Sequence, residues 1–267
     1  MVRAVVTGAA GRMGTTIVRL IRETEDIELA GAVERQGHPA VGRDAGEVAG
    51  VGPVGVTVGD DLVEALGSGD VVLDFTSAQA SLGHLDAVCD AGKAIVIGST
   101  GFTPEDREAI RARAQRARVF LAPNMSIGVN VLLKVVADVA RILGDAYDVE
   151  IVETHHRFKK DAPSGTALAL AESVAQALGR DLGADAVYGR RGLVGERAGR
   201  EIGIHAVRAG DVVGDHTVIF GGLGERVEIT HRATSRETFA RGAIRAALWL
   251  AGRPNGFYGM ADLLAGP

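Results

Sequence analysis

Residues 153–166 read Glu153-Thr154-His155-His156-Arg157-Phe158-Lys159-Lys160-Asp161-Ala162-Pro163-Ser164-Gly165-Thr166, the densest gathering of proton-exchanging and anion-holding groups in the chain. Histidine exchanges a proton near neutral pH, and lysine can either hold a carboxylate or give up a proton. Of 29 Lys plus Arg only four are lysines, Lys93, Lys134, Lys159 and Lys160, and two of them stand side by side here. Chance accounts for this where a surface cation alone is wanted. The chemical account is that an ammonium releases a proton and a guanidinium does not. Asp161 is placed to orient or pair with a neighbouring cation. Ser164-Gly165-Thr166 opens the next helix, whose first N–H groups form a carboxylate site, while Ser164 or Thr166 can also cap that helix. On a continuing strand His155 and His156 point to opposite faces, which argues against their sharing a metal ion, and no metal is expected. The stretch calls for a substrate with carboxylates and a step that needs a proton.

A second constellation lies at the start of the chain. Gly8-Ala9-Ala10-Gly11-Arg12-Met13-Gly14 follows an apolar β-branched run, Val2 to Thr7, and precedes a segment of helical period. Small residues there let the backbone approach a pyrophosphate at a helix N-terminus, so the loop from Gly8 to Gly14 is a candidate dinucleotide site. Glu34 follows the second strand, 20 residues beyond Gly14. Its carboxylate can accept from a ribose diol, and Arg35 beside it can hold a 2′-phosphate, so use of both NADH and NADPH is expected, with the preference between them left open. An ordinary solvated Glu-Arg pair is the plain alternative. Two further loops follow strands, Gly98-Ser99-Thr100-Gly101 and Ala122-Pro123-Asn124-Met125. Loops after parallel strands serve either as ligand-binding segments or as turns.

The elements that must position these groups alternate. Strands are expected at 2–7, 27–33, 71–75, 94–97 and 119–121, with helices at 12–23, 78–91 and from Pro104. Residues 35–57 read as a Gly-rich loop with a minor strand. Strands separated by helices imply a parallel sheet covered on both faces. After Pro123-Asn124-Met125-Ser126 the rhythm changes: a helix at 127–143, a strand at 147–155, a helix at 166–178, a mobile loop at 179–200, and strands at 201–208, 216–220 and 226–231, whose short gaps favour an antiparallel or mixed sheet. Thr234-x-x-Glu237 reads as a capping box for a last long helix. The fold class is thus α/β, a doubly wound parallel sheet domain of the Rossmann type plus a second α+β domain with a mixed sheet. The expected boundaries are 1–126 for a dinucleotide-binding domain completed by a C-terminal helix at 235–267, and 127–234 for a substrate-binding and oligomerisation domain.

Composition narrows the function. At 267 residues the chain can bury a large core, and a net charge of −5 gives no bulk attraction to nucleic acid. The lone Cys89 cannot form an intramolecular disulfide or a thiolate metal centre, and no segment approaches a membrane span, so a cytoplasmic protein is expected. An acylating aldehyde dehydrogenase would need a nucleophilic cysteine, and Cys89 falls inside an expected helix with no nearby histidine in sequence. A protein that only senses the dinucleotide accounts for Gly8 to Gly14 but gives no reason for His155 and Lys159.

At these residues the chain resembles the dihydrodipicolinate (4-hydroxy-tetrahydrodipicolinate) reductase family. The likeness runs through Gly8 to Gly14, Asp74-Phe75-Thr76, Gly98 to Phe102, Ala122 to Ser126, the run from His155 to Ala167, Gly214-Asp215-His216-Thr217-Val218 and Gly256-Phe257-Tyr258-Gly259-Met260. The most specific part is His-His-x-x-Lys-x-Asp-Ala-Pro-Ser-Gly-Thr-Ala. The resemblance implies NAD(P)H-dependent reduction of a cyclic dicarboxylate, 4-hydroxy-tetrahydrodipicolinate to tetrahydrodipicolinate, on the diaminopimelate route to lysine. By the same resemblance His155 is the proton donor or acceptor, Lys159 is a second donor, and His156, Lys159, Gly165 and Thr166 contact the substrate. Gly8 to Met13, Glu34, Arg35, Gly98, Ser99, Thr100, Ala122, Pro123, Asn124 and Met125 contact the cofactor. It further implies a homotetramer built through the second domain's sheet; two lobes that close over the substrate are expected from the changes of rhythm at Pro123 to Ser126 and at Thr234. Met125 stands where the family commonly has an aromatic, and Lys160 where it varies.

Overall fold

The computed structural model describes residues 1–265 and separates into two units, residues 1–126 with those from 237 onward, and residues 127–236. The first unit begins β1 (Val2–Thr7), α1 (Arg12–Arg22), β2 (Ile27–Val33), α2 (Ala45–Val48), β3 (Val58–Gly59), α3 (Leu62–Leu66), β4 (Val71–Asp74), α4 (Ala78–Asp90), β5 (Ala94–Ile97), α5 (Pro104–Arg113) and β6 (Arg118–Leu121). Every residue of β4 and β5 is buried, the signature of a parallel sheet covered on both faces. Helix starts are set locally. Ser77 accepts from Ala80 N–H at the head of α4, and Thr103 with Asp106 forms a capping box ahead of Pro104 at α5. The segment expected as a loop with a minor strand over 35–57 holds α2 as well. Asp44 builds it, since its carboxylate accepts from the amides of Gly46, Glu47, Val54 and Gly55, and sequence pattern alone does not reveal such a tie between two loop arms.

The second unit comprises α6 (Ile127–Leu143), a 3-10 turn at 144–146, β7 (Asp148–His155), α7 (Gly165–Leu178), α8 (Leu182–Asp185), β8 (Ala186–Tyr188), β9 (Ile202–Arg208), β10 (Gly214–Gly221) and β11 (Arg226–Ala233). The strand order is β11-β10-β7-β9-β8. β10 runs antiparallel to β7 and β11, whereas β7, β9 and β8 run parallel, so the sheet is mixed. Burial alternates along β7, with Val149, Ile151, Glu153 and His155 turned to the face that α6 and α7 cover. The stretch 179–200, read from its glycines and arginines as mobile, instead carries α8 and β8. Its arginines tie it down: Arg190 donates to Glu150 and Glu201, and Arg197 donates to Glu150, Asp148 and the backbone carbonyls of Val149, Ala198 and Glu201. Charge complementarity across the sheet is invisible to local pattern.

The chain then returns to the first unit through α9 (Glu237–Ala251), β12 (Gly256–Tyr258) and α10 (Met260–Leu264). The helix expected over 235–267 therefore stops at Ala251, and a strand and short helix follow; Gly266 and Pro267 lie outside the described residues. Pro254 within Gly252-Arg253-Pro254 explains the stop. Glu237 is the first helical residue, not the third, so the Thr234 capping box is not formed in that register; the Glu237 carboxylate pairs with Arg19 and Arg241. β12 adds beside β6, giving the seven-stranded parallel order β12-β6-β5-β4-β1-β2-β3. α9 is close-packed. An added Cβ at Gly242 would lie 1.8 Å from the Met125 carbonyl oxygen, so only glycine lets the helix meet the loop after β6. Phe120, Ile17, Leu20 and Leu73 are among the fully buried side chains of this unit, each worth about 1.5–3 kcal/mol of burial.

Candidate active site

Because β1, β4, β5 and β6 are parallel neighbours, the loops that follow them gather at one edge of the sheet. This brings together Gly8 to Met13, Gly98 to Thr100 and Ala122 to Met125, with Glu34 and Arg35 after β2. The glycine loop is built for close approach. Gly8 has φ +62°, and an added Cβ at Gly14 would lie 2.1 Å from the Gly8 carbonyl oxygen, so α1 sits directly on the loop. Gly11 precedes α1 without any side-chain cap, leaving the helix's positive end to the loop. Glu34 turns back to the loop, where its carboxylate accepts from Ala10 N–H at 3.0 Å and from Arg35 N–H at 3.2 Å. A cavity of about 460 Å³ lies beside it, lined by Thr7, Gly8, Glu34, Arg35, Asp60, Thr76 and His84 among others. Helix-end amides, a glycine cradle and a carboxylate at a cavity of this size fit the pyrophosphate and ribose of a dinucleotide.

The remaining expected contacts differ in what they expose. Arg12, Thr100 and Pro123 are exposed, whereas Ala9, Ser99, Ala122 and Met125 are buried. Ser99 takes a hydrogen bond from Ser81 at 2.9 Å, and the Asn124 side-chain Oδ1 accepts from Ser126 N–H at 2.9 Å. Met125 is 1% exposed, so its thioether belongs to the core under α9, whatever its backbone contacts. One group named in the sequence reading was given no role there. Asp74, wholly buried at the end of β4, accepts from Thr76 N–H and Oγ1 and pairs with His84 Nδ1 at 2.7 Å. Burial pushes the Asp74 carboxyl up, but the His84 and Thr76 hydrogen bonds outweigh it and hold it below the usual carboxylate range.

The second unit carries the other constellation. His155 closes β7 on the buried face, and its Nδ1 lies 2.5 Å from Glu153 Oε2. Glu153 is wholly buried and also accepts from both terminal nitrogens of Arg208, at 2.8 and 2.9 Å, and from Ser164 N–H at 3.1 Å. Burial raises the Glu153 carboxyl; the bonds from Arg208 and His155 overcome this and keep it below its ordinary range. Ser164 Oγ accepts from Ala167 N–H, capping α7, and lies 3.0 Å from His216 Nε2. The His155 and His216 rings meet edge to face at 5.1 Å. His216 is pushed down to about 4, chiefly by burial and then by His155, so it is neutral at pH 7.

His156 leaves the strand toward the other side. Its Nε2 lies 3.2 Å from Arg236, and because a guanidinium only donates, that nitrogen accepts. Lys159 donates to Asp161 at 2.9 Å, and this pairing lowers the Asp161 carboxyl. Lys160 is exposed. Gly165 and Thr166 form the first turn of α7, next to the Ser164 cap. His155, His216 and the α7 start are thus joined through Glu153 and Ser164, with Lys159 on the loop between β7 and α7 and His156 held apart by Arg236; the joined groups make polar ground suited to a carboxylate. Glu153 and His216 were not singled out by sequence. The signal for Glu153 was available: two residues before His155 on a strand, it shares His155's face.

Two family models cover the chain. Residues 2–125 match the dihydrodipicolinate reductase N-terminus and residues 128–264 the dihydrodipicolinate reductase C-terminus. This chain belongs to the dihydrodipicolinate reductase family. The 4-hydroxy-tetrahydrodipicolinate reductase of Anaeromyxobacter dehalogenans is 60% identical over 264 residues, covering 99% of this chain and 98% of that one. The same enzyme of Syntrophobacter fumaroxidans is 59% identical, covering 99% of each. A dipicolinate-bound dihydrodipicolinate reductase from Paenisporosarcina sp. TG-14 superposes with a TM-score of 0.77 at 25% identity, over 99% of this chain and 100% of that one. Members of this family are NAD(P)H-dependent oxidoreductases, and the N-terminal unit is their nucleotide-binding domain of the Rossmann type. Among the described residues no helix is long and apolar enough to cross a membrane.

Proposed function

We propose that this chain reduces 4-hydroxy-tetrahydrodipicolinate to tetrahydrodipicolinate with NADH or NADPH, in the cytoplasm, on the diaminopimelate route to lysine. The observation that carries the reading is the hydrogen-bonded set of His155, Glu153, Ser164 and His216 at the α7 start, with His156 and Lys159 on the segment between β7 and α7, within a chain that also holds a dinucleotide cradle. It is supported by about 60% identity to reductases of that name and by a relative that holds a dicarboxylate.

Gly8 to Met13 would hold the pyrophosphate, Glu34 or Arg35 the adenosine ribose or its 2′-phosphate, and Gly98 to Thr100 with Ala122 to Met125 the remainder. The bound nicotinamide supplies a hydride. The protein's own part is to hold the substrate's carboxylates and deliver a proton. His156, Lys159 and the first-turn amides of Gly165 and Thr166 bind the carboxylates; His155 and Lys159 donate protons. Domain roles follow: residues 1–126 with the C-terminal segment take the cofactor, and 127–234 take the substrate. The face of the second sheet turned away from α6 and α7, where Val207 is 43% exposed, would serve homotetramer assembly. The deciding experiment follows NAD(P)H absorbance with substrate generated in situ by the preceding synthase. Oxidation that requires the synthase product is expected; dinucleotide binding without turnover would leave only a sensor.

A further inference from the structure

A histidine can serve a reaction only if the right nitrogen carries the proton and the ring is held still. In this site the hydrogen bonds around His155 leave little choice. Glu153 has no solvent contact, and its carboxylate oxygens receive Arg208 through two parallel bonds, Ser164 N–H and His155 Nδ1. Such a carboxylate stays charged and accepts, so Nδ1 of His155 donates and bears a hydrogen. The opposite nitrogen, Nε2, is then the one that changes protonation state. Space is kept for it: a Cβ added at Gly214 would lie 3.0 Å from His155 Nε2 and 3.7 Å from His216 Cε1. β-sheet register makes this possible, because β10 opposes β7 with His216 across from Glu153, which brings Gly214 beside His155.

We infer that Glu153 is the positioning residue of this site, fixing His155 as the Nδ1–H tautomer with Nε2 presented, and that Arg208 holds Glu153 in the geometry this needs. Arg208 does so from β9, two residues beyond the strand partner of Glu153, and its Nη2 also donates to the Asp161 carbonyl at 2.7 Å. The same guanidinium therefore ties the carboxylate to the segment that carries Lys159. The other charged or titratable groups around the ring are His216 on β10 and the Lys159–Asp161 pair on the loop after β7. His216 stays neutral at pH 7 and Asp161 is spoken for by Lys159, so Glu153 is the carboxylate that His155 meets. The inference rests on the reductase reading for its effect on rate, but not for its geometry.

The first test is long-range ¹⁵N NMR of the imidazoles in the full-length parent at pH 8, which reads the His155 tautomer directly. An Nδ1–H signature is expected; an Nε2–H tautomer at His155 overturns the inference whether or not the protein turns substrate over. The second test uses Glu153→Gln, which keeps the shape and removes the charge. Loss of the orienting carboxylate is expected to lower kcat about 10²–10⁴-fold. Dinucleotide affinity and substrate KM should stay within about threefold, and the acid limb of the pH–rate profile should move. Glu153→Asp, which keeps the charge, should recover part of kcat. A folded Glu153→Gln enzyme with parental kcat and pH profile overturns the inference. Should that variant fail to fold, the parental tautomer decides alone. A parent that binds dinucleotide but never oxidises it would sink the reductase reading while leaving the tautomer result intact.

Discussion

In the proposed reaction Lys159 and His155 divide the proton chemistry, and substitution can separate their parts. His155→Ala should lower kcat about 10²–10⁴-fold, the usual loss for a positioned general acid, with dinucleotide affinity nearly unchanged. Lys159→Arg is sharper, since it keeps the cation that Asp161 pairs with but cannot readily yield a proton. If Lys159 donates, kcat falls steeply; near-parental kcat with a raised KM would leave it as a carboxylate clamp. Steady-state kinetics with both cofactors distinguishes the two. Glu34 offers a similar separation. It accepts from Ala10 and Arg35 amides and lines the cavity beside the glycine loop. Removing its charge in Glu34→Ala removes repulsion of a 2′-phosphate, so the ratio of kcat/KM for NADPH to that for NADH should rise. An unchanged ratio would take Glu34 out of cofactor choice.

At the scale of elements, three glycines act differently. At Gly14 a Cβ would fall 2.1 Å from a backbone oxygen, at Gly11 3.1 Å from one. Gly14→Ala must therefore displace α1, losing both dinucleotide binding and stability. Gly11→Val should weaken binding by intruding on the proposed pyrophosphate site, while its melting temperature falls much less. Fluorescence titration with NADH and thermal unfolding, run on both, check the contrast; parental affinity in Gly11→Val would misplace the cofactor. Gly242→Ala drives a methyl onto the Met125 carbonyl, and overpacking of this kind costs about 1–3 kcal/mol or more. Denaturant unfolding measures it, and a loss under about 0.5 kcal/mol, the range of an ordinary surface change, would mean that the helix shifts freely. Neither the Gly242 contact nor the Asp44 clasp shows in periodicity, because each joins segments far apart in sequence.

At the scale of the molecule, acid should destabilise the fold in two stages. His216 is pushed from 6.5 to about 4 when folded, so the unfolded chain takes up its proton first and stability falls as pH drops through that interval. Burial pushes the Glu150 carboxyl up, but hydrogen bonds from Arg190, His205 and Arg197 bring it down to about 2. Its contribution is present above about 4.5 and is lost as pH falls from there toward 2. Urea midpoints at pH 7.5, 5.5 and 4 should decline for the parent and decline less for His216→Asn; parallel declines would remove His216 as a cause. Sedimentation velocity checks the proposed tetramer, with a monomer at micromolar concentration ruling it out.

Sequence by itself determined the parallel sheet, because buried strands and amphipathic helices alternate with periods that only one layered arrangement satisfies. It also located the residues proposed for the chemistry, since the glycine loop and the run from His155 to Thr166 are each contiguous. The start of α5 at Pro104 was legible for the same reason, whereas the caps from Ser77 at α4 and Thr103 at α5 were not read. The register that sets His216 across from Glu153, the reach of Arg208 from β9, and the arginine ties that order 179–200 were decided only by the tertiary structure. So was the end of the last helix, where β12 gains more by adding to the sheet edge beside β6 than by continuing as helix past Pro254. The physical reason is common to these cases: a hydrogen bond or ion pair between strands depends on which residues the fold brings opposite one another, and local composition carries no record of that.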